Sequence, residues 1–121
     1  MAKAFCVSLT CAKDNRDRAT VAFVVAGAAV ASGLETVVFL SIEGVRISQR
    51  GYADDIHEEG FSPLRELMQN FVGAGGKIWV CSPCFKKRGL DEAQLVEGAT
   101  IVGGAKLVEF LSVNGASSVS Y

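Results

Sequence analysis

The chain has 121 residues, half of them hydrophobic, which is enough for one domain with a core of its own. Its 12 basic and 13 acidic side chains nearly cancel, so no overall attraction to nucleic acid or to an anionic membrane is indicated. We therefore expect a single domain over residues 1–121 that binds no nucleic acid.

The first third of the chain predicts a strand, a helix and a second strand. Ala4 to Leu9 is a continuous apolar run, which is typical of a strand buried on both faces. Asp14 or Asn15 can cap the helix that follows, because either side chain accepts hydrogen bonds from the free amides of a first turn. The helix is expected from about Arg16 to Ser32, and the second buried strand from Thr36 to Ile42.

The same region contains an apolar stretch long enough to suggest a membrane span. Residues 19–42 are interrupted by one charge, Glu35. Gly33 is a helix stop, and residues 36–40 change to β-branched and aromatic types, so a buried helix followed by a buried strand is the better interpretation. No secretion signal precedes the first strand, and we expect a cytoplasmic protein with reduced thiols and no membrane span.

The remaining two thirds continue the alternation of helices and strands. A long polar segment, Arg46 to Gly60, is followed by an amphipathic helix that begins near Leu64 and stops at Gly73 to Gly76. The later predicted elements are, in order, a strand at Ile78 to Val80, a turn or short helix at Leu90 to Val96, a strand at Ala99 to Val102, a helix at Gly104 to Val113 ended by Asn114 and Gly115, and a final strand candidate at Ala116 to Tyr121.

This order of elements predicts an α/β fold, a three-layer α/β/α sandwich around a parallel sheet. Ligands of such folds bind beyond the carboxyl ends of the strands. Cys11 and Cys81 follow the first and third predicted strands, and the polar segment that contains His57 follows the second. We therefore expect these three segments to meet at one edge of the sheet, around Cys81.

The sequence Cys81-Ser-Pro-Cys84 is the strongest candidate site. A cysteine at a strand end that opens a helix faces free backbone amides, and Pro83 suits the first helical turn. Three cations follow about one turn later: Lys86, Lys87 and Arg88. Amides and cations both lower a thiol pKa, so this pattern predicts an anionic, reactive sulfur at Cys81.

Simpler interpretations stand beside this one. Cys81 and Cys84 can be a chance pair of small residues. Cys11 can be an accessory or resolving thiol, or simply a half-buried side chain. Cys6 fits core packing. His57 is the only histidine and is more often solvated than catalytic in such a loop. A zinc site that combines it with three cysteines is conceivable, but a second Cys-x-x-Cys or a close His pair is missing, and we expect neither metal nor cofactor.

The chain resembles the DsrE/DsrF-like family, which includes the TusD-type sulfur-relay subunits. The segments that carry the resemblance span nearly the whole chain: Asp14 to Arg18 at the first helix start, the alanine-rich helix, Val38 to Val45, Gly75-Gly76, Cys81 with Arg88-Gly89 beyond it, and Glu97 to Gly103.

The resemblance implies a five-stranded, mostly parallel sheet and assembly into oligomers, commonly trimers or hexamers. It also implies that Cys81 accepts sulfane sulfur as a persulfide and passes it on, as a sulfur relay rather than a conventional turnover enzyme. Its partners would be donor and acceptor proteins or small sulfane-sulfur compounds. Cys84 departs from the TusD pattern and can discharge the persulfide as a resolving thiol. Two alternatives are a thiol-redox protein that uses the Cys81/Cys84 pair and a non-catalytic module that binds a small molecule or a metal.

Overall fold

The computed structural model describes residues 3–113 and 115–121, with Val113 described by its backbone only. The predicted helix end at Asn114 lies outside the described residues. The strands are β1 (Ala4–Leu9), β2 (Glu35–Leu40), β3 (Lys77–Cys81), β4 (Ala99–Val102) and β5 (Ser117–Ser120), and the helices are α1 (Arg16–Ala31), α2 (Leu64–Gly73), α3 (Ser82–Lys87) and α4 (Gly104–Val113).

The five strands form one sheet in the order β4-β3-β2-β1-β5, and every pairing between neighbours is parallel. Leu9 pairs with Leu40, and Leu40 pairs with Val80, so the carboxyl ends of the three central strands are level. The predicted α/β fold and its five-stranded sheet are confirmed. The sheet is parallel throughout, as expected when each connection between strands contains a helix or helical turns.

Helices cover both faces of the sheet. On one face, α1 and α2 pack on alternate strand residues such as Val7, Val38 and Ile78. On the other face, Phe110 of α4 packs edge-on against Trp79, with 5.4 Å between the ring centroids. These three layers are the predicted sandwich, and the strands read as continuous apolar runs because both of their faces are buried.

The start and end of α1 follow from local chemistry. The Asn15 side chain accepts a hydrogen bond of 3.1 Å from the Arg18 amide, as the sequence predicts for a cap. Gly33 has a φ of 84°, which favours glycine just beyond the helix end. The apolar stretch over residues 19–42 is thus divided between α1 and β2. In the described part of the chain, no helix is long and apolar enough to cross a bilayer.

The polar segment between β2 and α2 is structured. It contains two 3-10 helices, Ile42–Ser48 and Tyr52–Asp55. Lys13 joins the second of them to the end of β1, since its Nζ lies 3.0 Å from Asp55 Oδ1 and 4.5 Å from the centre of the Tyr52 ring. These contacts fix the segment against the start of α1.

Candidate functional site

Cys81 lies where β3 ends and α3 begins. It is the last residue of the strand and the residue that precedes the first turn of the helix, with Pro83 inside that turn. Its side chain is half-buried, whereas Val80, one residue earlier, is completely buried. The strand is therefore held by the core while its terminal sulfur reaches the carboxyl edge of the sheet, where ligands of parallel sheets bind.

Burial is the main influence on the Cys81 thiol and raises its pKa above the ordinary value. The Cys84 thiol adds to the rise, while the Cys84 backbone amide and the Arg88 guanidinium lower the pKa. The predicted anionic sulfur is therefore wrong for the resting state, because the removal of water from around the sulfur outweighs the amide and the cation.

Of the three predicted cations, Arg88 is the one that acts on Cys81. Its side chain is only 13% exposed, and its Nη1 donates a hydrogen bond of 3.2 Å to the Cys84 carbonyl. Lys86 and Lys87 are exposed and, within the described chain, are not among the groups that shift the Cys81 pKa. Exposed side chains are screened by water, so the stabilisation of the anion by Lys86 and Lys87 stays a prediction, whereas the Arg88 guanidinium lowers the Cys81 pKa.

Glu43 holds Arg88 in place. Its two carboxylate oxygens accept hydrogen bonds of 2.7 Å from Arg88 Nε and 2.8 Å from Arg46 Nε. The Arg88 bond places the pKa of Glu43 below its ordinary value, and Arg46 lowers it further. Sequence reasoning missed Glu43 and Arg46 as site residues. Their spacing is an ordinary helical pair, and only the sheet order brings the end of β2 beside α3.

Ile42 is a third residue at this edge that the sequence did not reveal. Its φ is 56°, in the left-handed region that β-branched residues rarely adopt, and its side chain is 51% exposed. Hydrogen bonds of Gly44, two residues later, explain why the Ile42 backbone is held in this conformation. The Gly44 amide donates to the carbonyls of Ser41 and Thr10, at 2.9 and 3.2 Å, and ties the loop to the end of β1.

Cys6 lies on β1 and Cys11 just beyond it, so both belong to a strand that is not a direct neighbour of β3. Cys11 is buried just beyond β1, with its sulfur 3.8 Å from Thr10 Oγ1. Strand β2 separates β1 from β3, so the ends of these two strands lie about 10 Å apart, and the role of Cys11 as a resolving thiol stays a prediction. Cys6 lies in the core, as predicted, and burial raises its pKa to about 11. All four cysteines are free thiols.

His57 does not approach the cysteine pair. It is exposed, and its Nε2 lies 2.8 Å from the Phe61 carbonyl of the same loop. The start of the polar segment does reach this edge, since Arg46 shares Glu43 with Arg88, whereas residues 52–55 contact Lys13 instead. A role for His57 stays a prediction. Among the described residues, no group of three or more His, Cys, Asp or Glu side chains could hold a metal ion, so the conceivable zinc set is not assembled.

Comparison with known proteins gives a family match over most of the chain. The model of the DsrE/DsrF-like family matches residues 3–116. The protein MJ0989 of Methanocaldococcus jannaschii is 32% identical over 107 residues, which is 88% of this chain and 90% of that protein. MJ0760 of the same organism is 29% identical over 103 residues, which is 85% of this chain but only 38% of MJ0760. The chain thus spans well under half of MJ0760.

A solved structure agrees with the fold. The ychN protein of E. coli superposes with a TM-score of 0.81 over the whole of both chains at 18% sequence identity. At that identity the likeness shows a shared fold and carries no information on substrates.

Proposed function

Since the chain belongs to the DsrE/DsrF-like family, whose members suggest a sulfur-relay type of function, we propose that Cys81 is a sulfur carrier. Cys81 accepts sulfane sulfur as a persulfide, and Cys84 is the resolving thiol. The observation that carries this proposal is the position of Cys81, half-buried at the end of β3 with Cys84 and Arg88 as its neighbours. Four free thiols are consistent with action in the reducing cytoplasm.

Loading is a thiol exchange with balanced atoms. The Cys81 thiol loses its proton to solvent, and the thiolate attacks the terminal sulfur of a donor persulfide, R–S–SH. A new sulfur–sulfur bond forms at Cys81, the old one breaks, and the donor leaves as R–SH after taking up a proton. Because the resting pKa is raised, little of Cys81 is thiolate at neutral pH, and the step is slow unless the donor places its sulfur atom directly beside the half-buried thiol.

The loaded state suits this environment better than the empty one. The outer sulfur of a persulfide extends beyond Cys81 towards the sheet edge, where water and Arg88 stabilise negative charge. The Cys84 amide supplies a further partial positive charge at the same point. The site thus favours an anionic outer sulfur that a partner thiol or another acceptor can remove.

Cys84 supplies a second route by which the carried sulfur can leave Cys81. Its thiolate attacks the inner sulfur of the Cys81 persulfide, a Cys81–Cys84 disulfide forms, and hydrogen sulfide leaves. An external dithiol then reduces the disulfide and returns both thiols. The formation and reduction of this disulfide is also the basis of the second candidate function, that of a thiol-redox protein. The interaction between the two thiols favours it, because neighbouring thiols can form a disulfide when an external oxidant removes two electrons.

The experiment is intact mass spectrometry after incubation with a small persulfide donor, such as glutathione persulfide. Wild type is expected to gain one sulfur, about 32 Da, which the Cys81→Ser variant does not gain. The Cys84→Ser variant is expected to gain it and to retain it longer, because the internal exit is lost.

Cys6→Ala is the matched control and is expected to load as wild type, since Cys6 is buried in the core. Loading of Cys81→Ser to the wild-type extent would exclude the carrier role. A wild type that takes no sulfur, yet forms the Cys81–Cys84 disulfide reversibly in oxidised glutathione, would favour the thiol-redox function instead.

A further inference from the structure

The exposed side chain of Ile42 lies beside Cys81 at the carboxyl edge of the sheet. Leu40 pairs with Val80, so Ser41 is level with Cys81 and Ile42 follows directly. Its backbone φ of 56° suits glycine or asparagine, and a β-branched side chain in that conformation lowers stability. Because the side chain is exposed, the fold gains little from burying it. An apolar side chain that strains the backbone and adds little to the core indicates a contact with a partner.

The outer face of α3 borders the same edge. Pro83, Lys86 and Lys87 are exposed and recur at helical spacing, so they share one face of this helix. The helix packs against the 3-10 helix that follows β2 and begins at Ile42. The surface around the Cys81 thiol therefore combines an exposed apolar side chain with two exposed ammonium groups.

The charges of this surface are mainly positive. Glu43 is shared between Arg88 and Arg46, so these three side chains together carry one positive charge. Lys86 and Lys87 add two more. The whole chain has a formal net charge of −1, so a positive surface here leaves the rest of the molecule with an acidic excess. Such a separation of charge orients an acidic partner towards this edge.

The acidic side chains that come next do not cancel this charge. Asp91 and Glu92 follow α3, but the Asp91 backbone forms two hydrogen bonds with the Gln49 side chain. Gln49 follows the far end of the 3-10 helix Ile42–Ser48, and seven residues of such a helix extend about 14 Å. On α4 the one lysine and the one glutamate are three positions apart and offset each other.

We propose that Ile42, Pro83, Lys86 and Lys87 form a docking surface for an acidic segment of a sulfur-donor protein, whose persulfidated cysteine adjoins an apolar side chain. The proposal rests on the proposed function of Cys81 as a sulfur carrier. Carboxylates of the donor pair with the two lysines, and its apolar side chain covers Ile42. Docking places the donor sulfur beside the half-buried thiol. The sulfur then passes by thiol exchange, and the donor leaves as a thiol.

Docking is measured first without sulfur transfer. The probe is the peptide acetyl-Glu-Glu-Leu-Ser-Glu-Glu-amide, in which serine replaces the reactive cysteine, and the protein is the isotope-labelled full chain with Cys81→Ser. The backbone amides of Ile42, Lys86 and Lys87 are expected to shift together and to saturate at millimolar peptide in low salt. Binding is expected to vanish in about 1 M salt, where the Debye length is only about 3 Å.

A peptide of opposite charge, with lysine in place of each glutamate, is the matched control for this titration and is expected to give no saturable shift. Absence of saturable shifts with the acidic peptide overturns the proposal. Equal shifts with both peptides overturn the acidic class of partner.

The same two peptides, each with a persulfidated cysteine in place of the serine, test whether docking serves loading. Wild type is expected to gain its sulfur, about 32 Da, roughly tenfold faster from the acidic peptide at low salt. Equal rates overturn the docking proposal and leave the proposed function standing. If neither peptide nor glutathione persulfide loads Cys81, the proposed function fails, and the binding titration still decides whether the surface docks an acidic segment.

Charge reversal tests the two cations. Lys86→Glu combined with Lys87→Glu is expected to remove the preference for the acidic persulfide peptide. The matched control is Lys3→Glu combined with Lys77→Glu, which changes the net charge equally. Both of these lysines are exposed at the amino edge of the sheet, before β1 and at the start of β3. An unchanged preference in the α3 variant overturns the proposal, as does an equal loss in the control.

Substitutions of Ile42 separate its side chain from its backbone. Ile42→Gly and Ile42→Ala are both expected to weaken binding of the acidic peptide about tenfold, as for the loss of one buried aliphatic contact. Glycine also relieves the strained φ, so the Tm of Ile42→Gly is expected to be no lower than that of wild type. Phe61→Ala, at an exposed apolar residue before α2, is the control and is expected to bind as wild type. Wild-type affinity in both Ile42 variants overturns the apolar contact.

Discussion

Glu43 accepts a hydrogen bond of 2.7 Å from Arg88 across the carboxyl edge of the sheet, so the end of β2 is joined to the helix that carries Cys84. The pair has two effects on Cys81. It fixes the guanidinium close enough to lower the Cys81 pKa, and it places a compensating negative charge beside that guanidinium. Other charges near this edge include Arg46, which shares Glu43, and Lys106, whose Nζ lies 5.6 Å from the centre of the Trp79 ring.

Substitutions at the two ends of this pair are expected to change Cys81 reactivity in opposite directions. Glu43→Gln removes the compensating charge, so the Cys81 pKa falls and alkylation by iodoacetamide at neutral pH speeds up about threefold. Arg88→Gln removes the cation, so the pKa rises and alkylation slows about threefold. The measurement is the pH profile of the alkylation rate, with Cys6 and Cys11 replaced by alanine.

Lys86→Gln is the control for this experiment. Lys86 carries the same charge on the same helix but is exposed, and its loss is expected to leave the profile unchanged. Loosening of α3 in both variants would increase the access of iodoacetamide to Cys81 in both. A change of the same sign for Glu43→Gln and Arg88→Gln would therefore contradict the electrostatic role.

Glu43 is also expected to make the free energy of unfolding depend on pH in the acid range. Arg88 and Arg46 hold its folded-state pKa below 4.5, so protons bind the unfolded chain more readily. The stabilisation is complete above pH 4.5 and is lost as the pH falls through the lower folded-state pKa. Thermal unfolding from neutral to acid pH should show a smaller loss in Glu43→Gln than in wild type. An identical loss would assign the acid sensitivity to other carboxylates, such as Asp55 beside Lys13.

Gly44 is expected to be intolerant of a side chain. A Cβ at this position would collide with the backbone carbonyl of Leu9, at the end of a central strand that cannot move aside. Gly44→Ala should lower the free energy of unfolding by about 2 kcal/mol, as for other overpacked sites. Urea unfolding measures this, with Gly27→Ala as the control because a Cβ there meets no atom within 4 Å. Equal stability of the two variants would show that the end of β1 is free to relax.

The helices and strands could be predicted from the sequence because their signals are local. Buried strands such as β2 read as apolar runs, and helix ends are marked by residues such as Asn15 and Gly33. The position of Cys81 at the edge of the sheet followed from the same signals, because it directly follows the apolar run of β3.

The electrostatics of the site could not be predicted, since they depend on distant residues and on burial. Glu43 and Arg88 are 45 residues apart, and their contact exists only because β2 and β3 are neighbours. Three cations after Cys81 suggested a low pKa, but the sequence does not show how much water the folded chain removes from the sulfur. The path of the polar segment beyond Arg46 could not be predicted either, because no local signal specifies it.

The last prediction concerns assembly, which the family resemblance implies as a homo-oligomer. Val108 is 64% exposed on α4, the described helix that covers the Trp79 face of the sheet, so association through this face would bury it. Val108→Glu would place a charge in that contact and is expected to reduce the assembly to smaller species, as measured by sedimentation velocity. Val24→Glu is the control on the opposite face, where the side chain is 37% exposed in the groove between α1 and α2. A wild-type sedimentation profile for Val108→Glu, with dissociation of Val24→Glu, would move the interface to the α1 side of the molecule.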